Sequence, residues 1–278
     1  MACCFTDIHL TFLFQPVPLY PLVSGYVMGL GAVFGATTHV CMCGIIFLLI
    51  YQIGSMIACF VKKHQAIAGI SRKSVIPNIL LLFMFIYFVI YTISVTGIYA
   101  TLNVPEDEKF ELKYPTYLEG FRSLPNFSIY DPSGYFVKFV IYSLVGGIAA
   151  FFTLVLVLLN ISRMLRILKT KMSASTYQKH KSAIFCLLAQ FSTSSVIFLP
   201  PIFFVFVILM GANGAQLIVE YLLVIACSHS TLNVVVLIIT FPPYRKFVGT
   251  KFFGIKKTGS RFSLFTNKQS VCGVVSMG

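Results

Sequence analysis

The stretch HSTLNVVVLIITFPPYRKF, residues 229–247, decides the fold. No charge interrupts the run from Tyr221 to Tyr244, and a helix of about 20 residues crosses the ~30 Å hydrocarbon core of a bilayer. Pro242 and Pro243 stop that helix, Tyr244 suits the headgroup zone, and Arg245 with Lys246 holds this end on one side of the membrane. Polar atoms also stand inside the run. Ser228, Ser230 and Thr231 can bond back to carbonyls one turn earlier. His229 and Asn233 are four apart, hence on one helix face, and each is costly toward lipid. That face is expected to point into a helical bundle, either as an interhelical hydrogen bond or as part of an activation switch. Beyond the exit, Val248, Phe252 and Ile255 recur at helical spacing among basic residues, the pattern of a short helix lying on the membrane surface.

The rest of the chain has the same character. Hydrophobic residues make up 58% and charged residues 10%, and the mean hydropathy is +0.89, so lipid rather than water is the solvent. Charge-free stretches predict five complete spans near residues 27–59, 77–102, 138–162, 183–210 and 217–241, because in lipid each segment must satisfy its own backbone hydrogen bonds. The expected fold class is an all-α integral membrane helical bundle. Its last two spans are joined by Gly211-Ala-Asn-Gly-Ala-Gln216 and form an antiparallel hairpin. Residues 8–24, broken by Pro16, Pro18 and Pro21, are too short for a complete span. Pro200 and Pro201, midway through the fourth complete span, remove backbone donors and predict either a hinge or a fixed bend.

Charge sets the sidedness. Seventeen of the 21 Lys and Arg residues follow the first, third and fifth complete spans, which makes that side cytoplasmic, together with the basic tail 251–278. Residues 103–137 on the opposite side hold Glu106, Asp107, Glu108, Glu111, Glu119 and Asp131, most of the chain's 8 acids. Asn126-Phe-Ser128 in that outer loop is an N-glycosylation acceptor, whereas Asn160-Ile-Ser162 at an inner helix end should stay bare.

The formal charge of +13 does not point to nucleic acid, since cations confined to membrane-adjacent loops follow from topology and from anionic inner-leaflet lipid. No metal or cofactor is expected. Cys41-Met-Cys43 has no facing cysteine pair, and the five histidines fall into no metal-binding spacing. Phosphate-binding glycine loops, paired intramembrane carboxylates and nucleophile elbows are missing from the sequence, which argues against an enzyme. None of the 8 cysteines lies in residues 103–137, so the disulfide that often ties such a loop to a helix is unavailable. Gly146-Gly147 in mid-helix predicts close helix packing.

Five short segments carry a resemblance. They are Gln15-Pro-Val-Pro-Leu-Tyr-Pro21 with Gly25-Tyr26, Cys59-Phe-Val-Lys-Lys-His-Gln65, Tyr177-Gln-Lys-His-Lys181, His229-Ser-Thr-Leu-Asn233 and Pro242-Pro-Tyr-Arg245. Together, over about residues 6–250, the chain resembles nematode seven-helix chemoreceptors, most of all serpentine receptor class I, with class H the nearest sibling. The resemblance implies a G-protein-coupled receptor in the plasma membrane of sensory cilia that detects an environmental small molecule. It also implies seven spans, of which this sequence carries about five complete helices and part of helix two.

Within that frame the outer half of the bundle is the expected ligand pocket, with Thr37, Thr38, His39 and Glu220 as candidate contacts. Pro200, Pro201, His229, Asn233, Tyr244 and Arg245 are candidate switch or hinge residues. Lys62-Lys63-His64-Gln65 stands in place of the acidic-Arg-aromatic triplet familiar from rhodopsin-like receptors, and Lys62, Lys63 and His64, with Arg163 and Arg166, are expected to face a G protein. Two other readings remain at this point: a truncated receptor remnant that does not signal, and a small transporter or channel subunit. Transport would favour intramembrane ionisable residues and internal repeats; Glu220 and a few histidines are the ionisable groups the spans offer, and the sequence shows no repeat.

Overall fold

The computed structural model describes residues 2–19, 22–71, 75–104, 120–121, 124, 126–132, 134–170, 173–195, 203, 206 and 215–252. Helix α1 (Ala2–Ile8) runs into a π-helical stretch, His9–Phe14, and then into strand β1 (Pro16–Pro18). Strand β2 (Ser24–Val27) and the short helix α2 (Leu30–Val33) precede the first long helix, α3 (Thr38–Ser71). After it come α4 (Asn78–Ala100), strand β3 (Ser128–Ile129), α5 (Gly134–Leu168), α6 (Ala174–Ser195), α7 (Gln216–Thr240) and α8 (Pro242–Phe252).

Among the described residues, α3, α4 and α5 are each long and apolar enough to cross a membrane, and α7 joins them if its two halves, Gln216–Ser228 and Thr231–Thr240, count as one span bent by 43°. Ser228 Oγ donates to the Ile225 carbonyl at 2.8 Å just before the bend, a back-bond of the kind that loosens a helix ladder. Helices α3 and α5 have 34 and 35 residues, about 50 Å at 1.5 Å per residue, so both project well beyond a ~30 Å hydrocarbon core.

Packing is achieved by notches. A Cβ on Gly54 would lie 2.0 Å from the Phe88 ring, and one on Gly146 would lie 2.0 Å from the Tyr91 hydroxyl. Each glycine therefore admits an aromatic ring from α4, which sits between α3 and α5 at these levels. Tyr91 also donates to the Ser143 carbonyl at 3.2 Å. Two substitutions separate shape from polarity here. Tyr91→Phe keeps the ring and is expected to cost about 1 kcal/mol for the lost bond. Gly146→Leu, which expels the ring, is expected to cost about 1–3 kcal/mol. Thermal unfolding of the purified protein in lipid nanodiscs checks both, and a larger loss for Tyr91→Phe would overturn the assignment.

The two ends of the helix bundle differ. At one end β1, β2 and β3 form an antiparallel sheet with Val17 opposite Tyr26 and Gly25 opposite Ser128. Leu22, Phe127 and Ile129 form a small core beneath it. At the other end Ile67 and Ala68 of α3 pack on Ile161, Met164, Leu165 and Leu168 of α5, joined by Tyr177 and Ile184 of α6. The described cations Lys62, Lys63, Arg163, Arg166, Lys169, Lys179, Lys181, Arg245 and Lys251 belong to segments at this second end, whereas Lys138, Asp131 and Glu220 belong to the sheet end.

Differences from expectation concern the first segments. The helix expected from about residue 27 begins at Thr38, and residues 24–33 instead form β2, a turn and α2. The reason is local. Gly29 and Gly31 lie against the Leu13 carbonyl, where a Cβ would come within 2.4 and 2.7 Å, and Gly35 adopts φ 79°. Of residues 8–24, the chain is helical to Phe14 and extended at Pro16–Pro18 and from Ser24, with Gln15 left-handed at the first junction. Helices α4, α5 and α7 cover the spans expected at 77–102, 138–162 and 217–241. The expected span 183–210 is described as helix to Ser195, and the tail beyond Phe252 lies outside the described residues.

Candidate functional site

The sheet end is built on the first turn of α3. Thr37 caps the helix by accepting from the Val40 amide at 3.3 Å. Thr38 donates to the Asn126 carbonyl, and Asn126 itself has a left-handed backbone, φ 57°. His39 is 6% exposed and engages both ring nitrogens: Nε2 lies 3.2 Å from the Ala100 carbonyl and Nδ1 lies 3.0 Å from the Tyr130 hydroxyl. A carbonyl only accepts, so Nε2 carries the hydrogen and the Tyr130 hydroxyl donates to Nδ1. The His39 ring stacks on Tyr99 with centroids 5.3 Å apart, and Phe136 and Phe139 close the cluster. Burial pushes the Tyr130 phenol well above its ordinary range, so it stays a donor at any physiological pH.

Glu220 stands apart from this group. It is exposed on the first turns of α7 and accepts from Gln216 Nε2 at 2.8 Å, while the same amide reaches the Pro18 carbonyl of β1 at 3.0 Å. Of the four candidate pocket residues, the structure brings Thr37, Thr38 and His39 together as helix cap, loop anchor and buried packing group. Glu220 belongs to a separate contact between α7 and the sheet.

The opposite end carries the second candidate surface. Lys62, Arg163 and Arg166 are exposed and Lys63 is half-buried. His64 is not at the surface: it is 1% exposed and its Nε2 accepts from Asn160 Nδ2 at 2.9 Å, which binds α3 to α5. The expectation that His64 faces outward is corrected on this point. Position 64 falls on the inward face of α3, one turn from Phe60, which is 0% exposed and meets Phe191 edge-on. Gln65 clamps the following connection, its Nε2 donating to the Ile76 carbonyl at 2.7 Å and its Oε1 accepting from the Ile76 amide at 3.1 Å.

His180 on α6 lies near Lys63, and burial together with that ammonium lowers its pKa. An unfolded histidine titrates at ~6.5, so on acidification the unfolded chain takes up the proton first. His180 thus contributes stability above pH ~6.5 that is lost as pH falls through its lower folded value. Lys63→Met is expected to reduce this acid-side loss slightly, and melting curves between pH 5 and 7, roughly the range over which histidine titrates, check it. An unchanged pH profile would remove Lys63 as a cause.

The switch candidates are placed unevenly. Pro200 and Pro201 lie outside the described residues, as does the side chain of His229, whose backbone belongs to α7. Asn233 is half-buried on the second half of α7. Tyr244 is 48% exposed, its ring 5.3 Å from Phe241, and Arg245 is exposed on α8. Sequence reading missed Tyr99, Tyr130 and Gln52, gave Asn160 no structural role and read Gln65 only as part of the Cys59–Gln65 segment. Asn160 drew notice only as a glycosylation match. Gln52, 1% exposed within α3, has neither amide atom hydrogen-bonded among the described residues, and its polarity in an otherwise apolar run was the available signal.

Residues 1–248 match the family model for serpentine type 7TM GPCR chemoreceptors, Sri. Curated proteins and solved structures gave no significant match. The match takes in the sheet end, α3 to α7 and most of α8, so the apolar helices, the hydrogen-bonded loop anchor and the cationic end all belong to the matched region. The chain is therefore an integral membrane protein and not an enzyme, and it belongs to the Sri family of serpentine seven-transmembrane, G-protein-coupled chemoreceptors.

Proposed function

We propose that this receptor detects an environmental small molecule toward the sheet end and signals to a heterotrimeric G protein through the cationic end. In this reading the cationic end is cytoplasmic, the protein resides in the plasma membrane of a sensory cell, and Asn126 is the glycosylated position of the outer loop. The observation that carries it is membership in a chemoreceptor family across residues 1–248. The separation of charge supports the direction of signalling: the exposed Lys62, Arg163 and Arg166 offer a cationic surface that fits an acidic groove. Pro200, Pro201, His229 and Asn233 are proposed as the moving parts. Tyr244 and Arg245 are proposed to hold the membrane exit.

The test is a calcium or cyclic-nucleotide reporter in cells that co-express the full chain and a G-protein α subunit, challenged with volatile and water-soluble small molecules. A response that needs both proteins supports the reading. Solute or ion flux that persists without any G protein would replace it with transport.

A further inference from the structure

Helix α4 has 23 residues centred on Val89, so Tyr87 lies about 3 Å from mid-depth at 1.5 Å per residue. A ~30 Å hydrocarbon core leaves the nearer headgroups about 12 Å away, farther than a tyrosine side chain reaches. Tyr87 is 62% exposed and its ring stacks on Tyr91 at 6.2 Å, but among the described residues nothing hydrogen-bonds its hydroxyl. A hydroxyl without a partner in hydrocarbon is costly, and the phenylalanine that the same helix uses at positions 83, 85 and 88 would avoid that cost. Gly97 is the second anomaly. It is exposed, and among the described residues no atom lies within 4 Å of a Cβ placed there. Such a glycine weakens the helix and serves no packing in its own chain. At about 100° per residue Phe83, Tyr87, Ile90, Ser94 and Gly97 fall within about 80° of one another, opposite the buried Thr92, Val95 and Tyr99.

We propose that this face of α4 packs against a second copy of the chain, about a twofold axis along the membrane normal, with the Tyr87 hydroxyls of the two copies hydrogen-bonded to each other. Lipid tails offer no acceptor, whereas a hydroxyl both donates and accepts, so a residue beside a twofold axis can satisfy its own image. Both copies keep the same orientation in the membrane, which makes the two α4 helices parallel. Residues 78–100 carry no charge, so nothing on the face repels its counterpart. A shallow crossing of about 20° keeps Phe83 and Ile90 in contact along the pair, and Gly97 lets the backbones approach toward the sheet end. The hydroxyl is also held in place beforehand. Tyr91, on which the Tyr87 ring stacks, sits in the Gly146 notch and donates to the Ser143 carbonyl at 3.2 Å. Ser94 needs nothing from a partner, since its Oγ is already hydrogen-bonded to the Tyr142 hydroxyl at 2.8 Å.

The test is energy transfer between donor-labelled and acceptor-labelled copies of the full chain in phosphatidylcholine liposomes, followed as the protein is diluted with added lipid. The parent should associate reversibly. Tyr87→Phe, which keeps the ring and deletes the hydroxyl, should weaken association about threefold, the size of one interhelical hydrogen bond in a membrane. Gly97→Leu, which holds the backbones apart, should weaken it about tenfold or more. Leu156→Ala, at a 66% exposed position on α5, should change nothing. Neither Tyr87→Phe nor Gly97→Leu removes a contact within the chain, so thermal unfolding at high lipid dilution should match the parent for both. A parent that shows no transfer above random proximity would overturn the proposal and leave this face to lipid or to a different membrane protein. Undiminished association of Gly97→Leu would overturn it by placing the contact on another face, and undiminished association of Tyr87→Phe would overturn the hydroxyl pairing on which it rests. The readout needs no ligand or G protein, so its failure is separate from a failure of the receptor reading.

Discussion

Gly29→Ala is expected to destabilise the protein by about 1–3 kcal/mol, read as a fall of roughly 2–10 °C in apparent Tm. A Cβ at position 29 would lie 2.4 Å from the Leu13 carbonyl oxygen and 2.8 Å from that of Phe12. Both are backbone atoms, so no rotamer change relieves the clash. The same contact carries two hydrogen bonds, Gly29 amide to the Phe14 carbonyl and Met28 amide to the Gln15 carbonyl, each at 3.2 Å. Separating the strands of backbone would break both and lift His9–Phe14 from the residues before α3. His9 would follow, because its ring rests on Gly44, 2.7 Å from where a Cβ would be, and donates to the Cys41 carbonyl at 2.8 Å. Gly147→Ala is the internal comparison. Position 147 is in mid-helix with nothing within 4 Å of a Cβ, so alanine there should stabilise by about 0.5–1 kcal/mol through backbone entropy alone. Equal effects of opposite expectation at the two glycines would refute the packing account.

What could be read in the sequence followed from solvent and charge. Tyr221 to Tyr244 announced a membrane helix because lipid imposes a length and forbids charge, and α7 occupies Gln216–Thr240. Pro242 and Pro243 marked the exit, although the chain resumes a helix at once as α8, Pro242–Phe252, since proline is tolerated in a first helical turn. The start of α3 was not readable. An uncharged stretch from Asp7 to Lys62 satisfies any path that stays in or near lipid, and hydropathy does not distinguish a helix from the paired strands Pro16–Pro18 and Ser24–Val27. The candidate site was legible by element but not by direction. His39 was singled out on the outer half of the first complete span and His64 behind its inner end, yet what each does depends on Tyr130 and Asn160, respectively 91 and 96 residues away in sequence. Long-range pairing of that kind leaves no periodic trace.

Gln52→Leu is expected to raise the apparent Tm by several degrees, about 1–3 kcal/mol. The Gln52 side chain is 1% exposed and, among the described residues, neither its nitrogen nor its oxygen has a hydrogen-bond partner. An amide in that state forfeits its hydration without replacement, and leucine fills nearly the same volume with no polar atom to desolvate. Gln52→Ala separates the two contributions: it also removes the stranded amide but opens a cavity, so its net effect should lie well below that of leucine. A fall in Tm with leucine would mean that the amide does find partners in the membrane and would sink the argument. A rise would mean that the native residue is retained at a cost to the conformation described here. In a receptor of at least two conformations, a polar group stranded in one is a bias toward another in which it is paired. Gln52→Leu should then stabilise this conformer selectively and weaken any agonist-evoked response at matched surface expression, trading signalling for stability at one atom-sized site in the middle of α3.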